Sequence, residues 1–340
     1  MTATFELPAG LEATAPPADR DGVRLLVARS GGLEHARFPA LGTFLAPGDL
    51  LVVNTSGTLA AAIDGTRSDG RAVTVHFATA LDDGSWVVEV RPARDATGPV
   101  PDSRSGDVIT LADDVRVALV QPHPGGQIRL WQAAVPVEGG VVAYLERHGR
   151  PVRYAYVPVP FPLADYQTVF AREPGSAEMP SAGRPFTAEL VTDLVTRGIG
   201  VAPITLHTGV SSQDAGEPPQ PERYAVPEAT ARAVNMTRAG GGRVVAVGTT
   251  ATRALETVAD RTGVVRGRAG WTDLVLGPDR PARVVSGLVT GWHAPGASHL
   301  DLLAAVAGAD LVDRAYQEAV RARYHWHEFG DSCLLLPSVD

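Results

Sequence analysis

The feature that most constrains this chain is a change of texture in its middle. From about Ala62 to Tyr156, short alternating segments follow one another: A-V-T-V-H-F-A at 72–78, W-V-V-E-V-R at 86–91, D-V-I-T-L at 107–111, V-R-V-A-L-V at 115–120 and I-R-L-W at 128–131. Turn residues separate them at near-regular spacing, the signature of a small antiparallel barrel or sandwich. One short helix is expected at Val141 to His148. On either side the pattern alternates helix and strand, which argues α/β. A β-rich segment between two α/β segments implies an insertion. The expected organisation is a discontinuous main domain, 1–61 and 157–340, with residues 62–156 inserted. The proline-rich V-P-V-P-F-P-L at 157–163 is extended chain at that boundary.

The outer segments supply the elements of the main domain. Residues 24–29 and 33–38, around Gly31-Gly32, predict a β-hairpin. Pro47-Gly48-Asp49 is a turn that launches the buried strand L-L-V-V-N, 50–54, which ends in Asn54. Helices are expected over 187–197, 227–238, 251–258, 299–307 and 311–321. Strands are expected over 201–207, 244–247, 271–276, 283–290 and 332–336.

The most informative of these units is R-V-V-A-V-G-T-T-A-T-R-A-L-E-T, Arg243 to Thr257. An apolar β-branched run meets Gly248, and Thr249 and Thr250 follow where a helix begins, with Thr250 as the expected N-cap. Arg253 and Glu256 are three apart, so one helical face can carry both charges. A strand, a Gly-Thr-Thr turn and a helix N-terminus can hold an anion or a polar ligand. The same pattern also fits an ordinary capped βα unit with a surface ion pair.

Composition removes several chemistries. All 30 basic residues are arginine, so Schiff-base lysine catalysis and a Walker lysine are excluded. Cys333 is the single cysteine, which excludes an intrachain disulfide framework and a cysteine-based zinc site. One cysteine suits a reducing cytosol, and neither a secretory leader nor a bilayer-spanning run is found, so a cytoplasmic location is expected. The net charge of -8 argues mildly against a broad nucleic-acid surface but leaves room for a local arginine patch. His76, His123 and His148 lack metal-type spacing. His325 and His327 in H-W-H have no nameable third ligand, so no metal is expected. No G-x-S-x-G elbow and no strand-linked G-x-G-x-x-G is present.

Polar clusters recur at the ends of α/β elements: Asp165-Tyr166-Gln167-Thr168, Ser181-Ala182-Gly183, Thr205 to Gly209 with His207, Gly248 to Glu256, Thr290 to His293, and Gly330-Asp331. Sites in open α/β sheets lie at such strand ends. Each histidine here, taken alone, also fits a satisfied structural role.

With these clusters in view, the sequence resembles the S-adenosylmethionine:tRNA ribosyltransferase-isomerase family, which forms epoxyqueuosine in the queuosine pathway. The matching motifs are P-G-D-L-L-V-V-N at 47–54, D-Y-Q-T-V-F-A at 165–171, T-L-H-T-G at 205–209, A-V-G-T-T-A-T-R-A-L-E at 246–256, H-A-P-G-A-S at 293–298 and F-G-D-S at 329–332. They occur in the family's order over nearly the whole chain. The resemblance implies an α/β domain carrying an inserted β-barrel. There are departures. The family's N-D-T-R-V-I-P-A-R is N-T-S-G-T-L-A-A-A here. Its A-P-T-A-G-L-H-F is M-P-S-A-G-R-P-F, with Arg184 at an apolar position and Pro185 at a histidine. The stretch after Thr208 is short and lacks a Met-His pair, with Glu222 set against the family's glutamate. T-N-F-H-L-P becomes T-G-W-H-A-P. Y-R-F-F-S-Y-G-D becomes Y-H-W-H-E-F-G-D, which brings in His325, His327 and Glu328.

The resemblance implies transfer and isomerisation of the ribosyl part of S-adenosylmethionine, as cosubstrate, onto 7-aminomethyl-7-deazaguanine in tRNA, releasing adenine and methionine. Such chemistry needs a base near the sulfonium and an acid for departing adenine. His207, Glu256 and Asp331 are the ionisable candidates for catalysis. Asn54, Asp165, Tyr166, Gln167, Ser181, Thr205, Glu222, Thr249, Thr250, Arg253 and His293 are the expected binding residues, with arginine able to hold a carboxylate bidentately. Two alternatives stay open at this point: the same pocket serving a small-molecule acceptor, which the charge and the altered loops favour, and a non-catalytic S-adenosylmethionine-binding protein.

Overall fold

The computed structural model describes residues 5–93, 98–124, 127, 129–210 and 219–337. The expected loop after Thr208 therefore lies largely outside the described residues. The main domain is built on a nine-stranded sheet. Its order is Arg268–Thr272, Glu222–Val226, Gly200–Leu206, Leu50–Asn54, Val244–Val247, Gly287–Thr290, Ser332–Leu336, Arg24–Arg29 and Gly32–Arg37. The four strands from Gly200–Leu206 to Gly287–Thr290 run parallel. Ser332–Leu336 turns back antiparallel against them, and Arg24–Arg29 runs parallel to Ser332–Leu336.

The strands are apolar on both faces because both faces are covered. In Leu50–Asn54, Leu50 and Val52 enter one core with Ile204, Ala246 and Leu288. Leu51 and Val53 enter the other with Val245, Val247 and Leu334. This is the period-two alternation of a strand expressed as two cores. Helices Glu228–Ala239, Thr249–Val258, His299–Ala307 and Ala309–Arg321 cover the first face, and Ala188–Thr196 covers the second. At the end of the sheet remote from the cleft, Asp49 clamps two strands. Its carboxylate accepts from the Ala46 N–H at 2.8 Å, the Arg243 N–H at 2.9 Å and the Arg243 guanidinium.

The inserted segment closes into a six-stranded barrel, in the order Leu130–Ala134, Trp86–Pro92, Ala72–Ala80, Ala62–Arg67, Val108–Thr110 and Arg116–Pro122, the last pairing back to the first. The helix Val141–His148 packs its Tyr144 and Leu145 into the barrel's core. The fold is thus α/β with an inserted antiparallel barrel.

Several local expectations are corrected. The strand expected over 283–290 is confined to Gly287–Thr290, because the N–H groups of Arg283, Val284 and Val285 bond the Glu256 carboxylate instead of a neighbouring strand. The strand expected over 271–276 is Arg268–Thr272, paired with Glu222–Val226 up to Thr272. Glu222–Val226 itself, the sixth barrel strand Ala62–Arg67, and a two-stranded parallel pair of Ser56–Thr58 with Glu173–Ser176 were not expected. The last pair is polar and rich in glycine and proline, so it carries no hydrophobic period.

Candidate active site

The carboxyl ends of the four parallel strands meet the amino ends of Glu222–Val226 and Ser332–Leu336 along one edge of the sheet. A cavity of about 780 Å³ opens there. The helix Thr249–Val258 points its first turn into it. Its N-cap is Gly248 at φ +92°, a backbone state that favours glycine, so the expected cap at Thr250 is corrected: Thr250 is already helical. Thr249 and Thr250 line the cavity. They belong to the first turn, where backbone N–H groups have no intrahelical acceptor.

Arg253 also lines the cavity, yet it is buried and heavily engaged. Its guanidinium pairs with the Glu222 carboxylate and donates to the carbonyls of Leu274 at 3.1 Å, Thr272 at 3.3 Å and Gln220 at 3.4 Å. The surface ion pair with Glu256 that the sequence allowed does not exist. Glu256 is fully buried and engaged by different partners, in the segment 280–285. There its Oε1 accepts from the N–H groups of Arg283, Val284 and Val285 at 2.9, 2.8 and 3.0 Å, and Arg280 donates to Oε2 at 3.3 Å.

Of the expected residues, Ser181, Glu222, Thr249, Thr250, Arg253 and His293 line this cavity. The three catalytic candidates do not. Asp331 is buried, held by the Arg24 guanidinium at 2.8 and 3.0 Å and by the N–H groups of Arg24 and His325. With Glu256 it is a frame residue, its oxygens already taken by protein donors. His207 faces a second, smaller cavity of about 260 Å³ between the barrel's Asp82 and the strand Arg268–Thr272. Its Nδ1 meets Ser56 Oγ at 2.7 Å, and Ser56 Oγ meets Ser176 Oγ at 2.5 Å. Gly175 lies against the ring; a Cβ there would sit 2.5 Å from it.

Asn54 is buried behind Thr250. Its Oδ1 accepts from Ser56 N–H and Leu206 N–H, and its Nδ2 donates to the Leu206 carbonyl at 2.8 Å and to Thr250 Oγ1 at 3.2 Å. Gln167 clasps the Thr58 backbone through both ends of its amide, at 2.9 and 2.7 Å. Tyr166 is buried against Phe329, Asp165 gives its carbonyl to Arg184 Nε, and Thr205 pairs with Thr55. These five hold the cavity's surroundings and do not line it.

Cavity residues not singled out from sequence as site residues include Tyr156, Glu178, His299 and Glu328. His293 and His299 stack at 4.5 Å with rings nearly parallel. Burial pushes His299 down to about 4, and burial with the neighbouring His299 and His327 holds His293 well below the usual range. Both are therefore neutral at pH 7. Burial raises Glu222 above the usual carboxylate range, against the pull of Arg253. Glu328 could have been found from the sequence, because it departs from the family pattern at a motif position.

A profile of the queuosine biosynthesis protein family matches residues 2–335. The chain is 39% identical to the S-adenosylmethionine:tRNA ribosyltransferase-isomerase of Symbiobacterium thermophilum, with 98% of each chain covered. It is 37% identical to the protein of the same name from Azoarcus sp., over 97% of this chain and 95% of that one.

The chain belongs to the queuosine biosynthesis protein family.

The crystal structure of S-adenosylmethionine tRNA ribosyltransferase from Thermotoga maritima resembles it at 30% identity and a TM-score of 0.56, covering 98% of this chain and 99% of that one. Family members with this near-complete overlap carry the tRNA-directed name, so the small-molecule and non-catalytic alternatives are not favoured. Among the described residues no helix is long and apolar enough to cross a membrane. Among the same residues no group of three histidine, cysteine or acidic side chains is placed to hold a metal.

Proposed function

We propose that this protein transfers and isomerises the ribosyl moiety of S-adenosylmethionine onto 7-aminomethyl-7-deazaguanine in tRNA, releasing adenine and methionine. The observation that carries this reading is the family match over nearly the entire chain, joined to a cavity at the strand ends where three of the shared motifs, those at 205–209, 246–256 and 293–298, converge. The cosubstrate lies in that cavity, against the first turn of the helix Thr249–Val258. Thr249 and Thr250 offer hydroxyls and N–H groups to its polar end. Arg253 and Glu222 act as a neutral pair that shapes the wall, since the guanidinium is already paired. Ser181 and His293 are ligand contacts. Neutral His293 and His299 carry no charge that would repel a sulfonium. His207, Glu256, Asp331, Asn54, Asp165, Tyr166, Gln167 and Thr205 position the walls. A tRNA-modifying reaction fits a cytoplasmic location.

The test is incubation with S-adenosylmethionine and tRNA carrying the aminomethyl base. Adenine is expected in amounts matching the modified tRNA. No adenine and no modified tRNA overturns the proposal, and adenine released at the same rate without tRNA overturns the choice of acceptor.

A further inference from the structure

One wall of the cavity is made by the segment around Tyr154–Tyr156 and the loop that carries His327 and Glu328. Three rings stack in series there: Tyr154 on Tyr156 at 5.9 Å and 25°, and Tyr156 on His327 at 4.2 Å and 14°. The Tyr156 hydroxyl donates to the Glu328 carboxylate. The carboxylate's Oε2 is buried and has no hydrogen-bond partner among the described residues. His327 adopts φ +69°, a left-handed state uncommon outside glycine, and such conformations are held by their surroundings at functional sites.

An unpaired buried carboxylate oxygen is costly, so its persistence points to a donor that arrives from outside. The cavity's own cation is spoken for, because Arg253 is engaged by Glu222. Burial lowers His327, His293 and His299, so none supplies a countercharge near neutral pH. Glu328 and His327 also stand where the pattern implied by the resemblance has serine and phenylalanine, so the wall departs from that pattern here.

We propose that Glu328 is a specificity-determining residue whose open oxygen accepts a hydrogen bond from a protonated primary amine on the bound ligand. Tyr156 holds the carboxylate and His327 holds Tyr156. The inference rests on the proposed function, which offers two sources of that amine: the amino-acid end of S-adenosylmethionine and the aminomethyl group of the acceptor base.

The experiment compares the wild-type protein with Glu328→Gln, which keeps the shape and removes the charge. Calorimetry reads the affinity for S-adenosylmethionine and for its analogue lacking the α-amino group. Steady-state adenine release reads KM for the tRNA. If the cosubstrate supplies the amine, Glu328→Gln weakens S-adenosylmethionine about tenfold or more and leaves the analogue unchanged. If the base supplies it, S-adenosylmethionine affinity is unchanged and KM for the tRNA rises by about the same factor. Tyr156→Phe, which deletes only the donor that holds Glu328, is the second variant and shows the same selectivity at smaller amplitude. Affinity and KM both within about twofold of wild type overturn the inference, as does equal weakening of S-adenosylmethionine and the analogue. The functional reading fails in the wild-type protein, whereas this inference fails in the difference between wild type and variant. A wild-type protein that neither binds S-adenosylmethionine nor releases adenine overturns both.

Discussion

Glu256 and Glu328 are both withdrawn from solvent in the main domain, and they are held in opposite ways. Glu256 receives three backbone N–H groups and an arginine, so its two oxygens are occupied. Glu328 receives the Tyr156 hydroxyl and its own backbone N–H and keeps Oε2 free at the cavity wall. Asp331, Asn54 and Gln167 resemble the first; Thr249 and Thr250 stand nearer the second, lining the cavity. A motif residue that is polar and buried can thus serve the frame or the ligand, and hydrogen-bond saturation separates the two. Saturated groups should govern stability. Open groups should govern binding.

The sharpest break of this division is Glu256→Ala. It strands three N–H groups in the loop after Arg280 and removes the reason that loop leaves the sheet. We expect a loss of about 3–5 kcal/mol in urea unfolding, the range for breaking a buried charged network. A fully stable variant with slow chemistry would return Glu256 to the catalytic role that the sequence alone allowed.

Arg253 straddles the two classes, lining the cavity while bonded to Glu222 and three carbonyls. The sequence alone predicts that Arg253→Ala weakens S-adenosylmethionine and leaves the fold intact. The structure changes the second half. Glu222 would be left withdrawn from water and unpaired, so stability should fall by about 2–3 kcal/mol together with affinity. Lost affinity with an unchanged melting temperature would show that the guanidinium belongs to the ligand and that the Glu222 contact is incidental.

How far the site could be read from residues follows the same division. The strand runs Leu50–Asn54, Val244–Val247 and Ser332–Leu336, and the helices Val141–His148 and His299–Ala307, are legible because hydrophobic period fixes them. The discontinuous domain is legible because a barrel's short strands read differently from buried parallel ones. Which face of the helix Arg253 and Glu256 share is not, since spacing of three gives proximity on a helix and says nothing of the partners across it. Glu222 and a loop some 27 residues downstream of Glu256 decide that, and both are tertiary contacts. The orientation of His207 is not legible for a similar reason: it ends its strand near the cleft, and the Ser56–Ser176 pair holds its ring beside the smaller cavity.

The histidine pair in the cavity wall offers a test that reads stability against pH and needs no ligand. His299 is pushed to about 4 in the folded protein and titrates near 6.5 once unfolded. Between those values the unfolded chain binds the extra proton, so stability is full above about pH 6.5 and falls as the solution is acidified toward 4. From pH 7 to 5 the loss from His299 should be about 1–2 kcal/mol, and His293, depressed in the same direction, adds to it. His299→Gln should flatten this slope in denaturation curves taken across that window. An identical slope in the variant would mean that the stacked pair is not what titrates.

The smallest expected effect on stability is also the most direct trial of the division. Thr250 is in the first turn of its helix, with its hydroxyl facing Asn54 at 3.2 Å and its surroundings open to the cavity. Thr250→Val keeps the branched shape and deletes the hydroxyl. Asn54 loses one long contact, but its Nδ2 still donates to the Leu206 carbonyl at 2.8 Å and its Oδ1 still accepts from two N–H groups. The frame therefore stays satisfied, and the melting free energy should move by no more than about 1 kcal/mol. A ligand that uses the hydroxyl would lose a hydrogen bond inside a cavity, so S-adenosylmethionine affinity should fall by a similar or larger amount, read by calorimetry. Large destabilisation with unchanged affinity would move Thr250 into the frame beside Asn54. The first turn of the helix would then contribute its N–H groups alone to the bound cosubstrate.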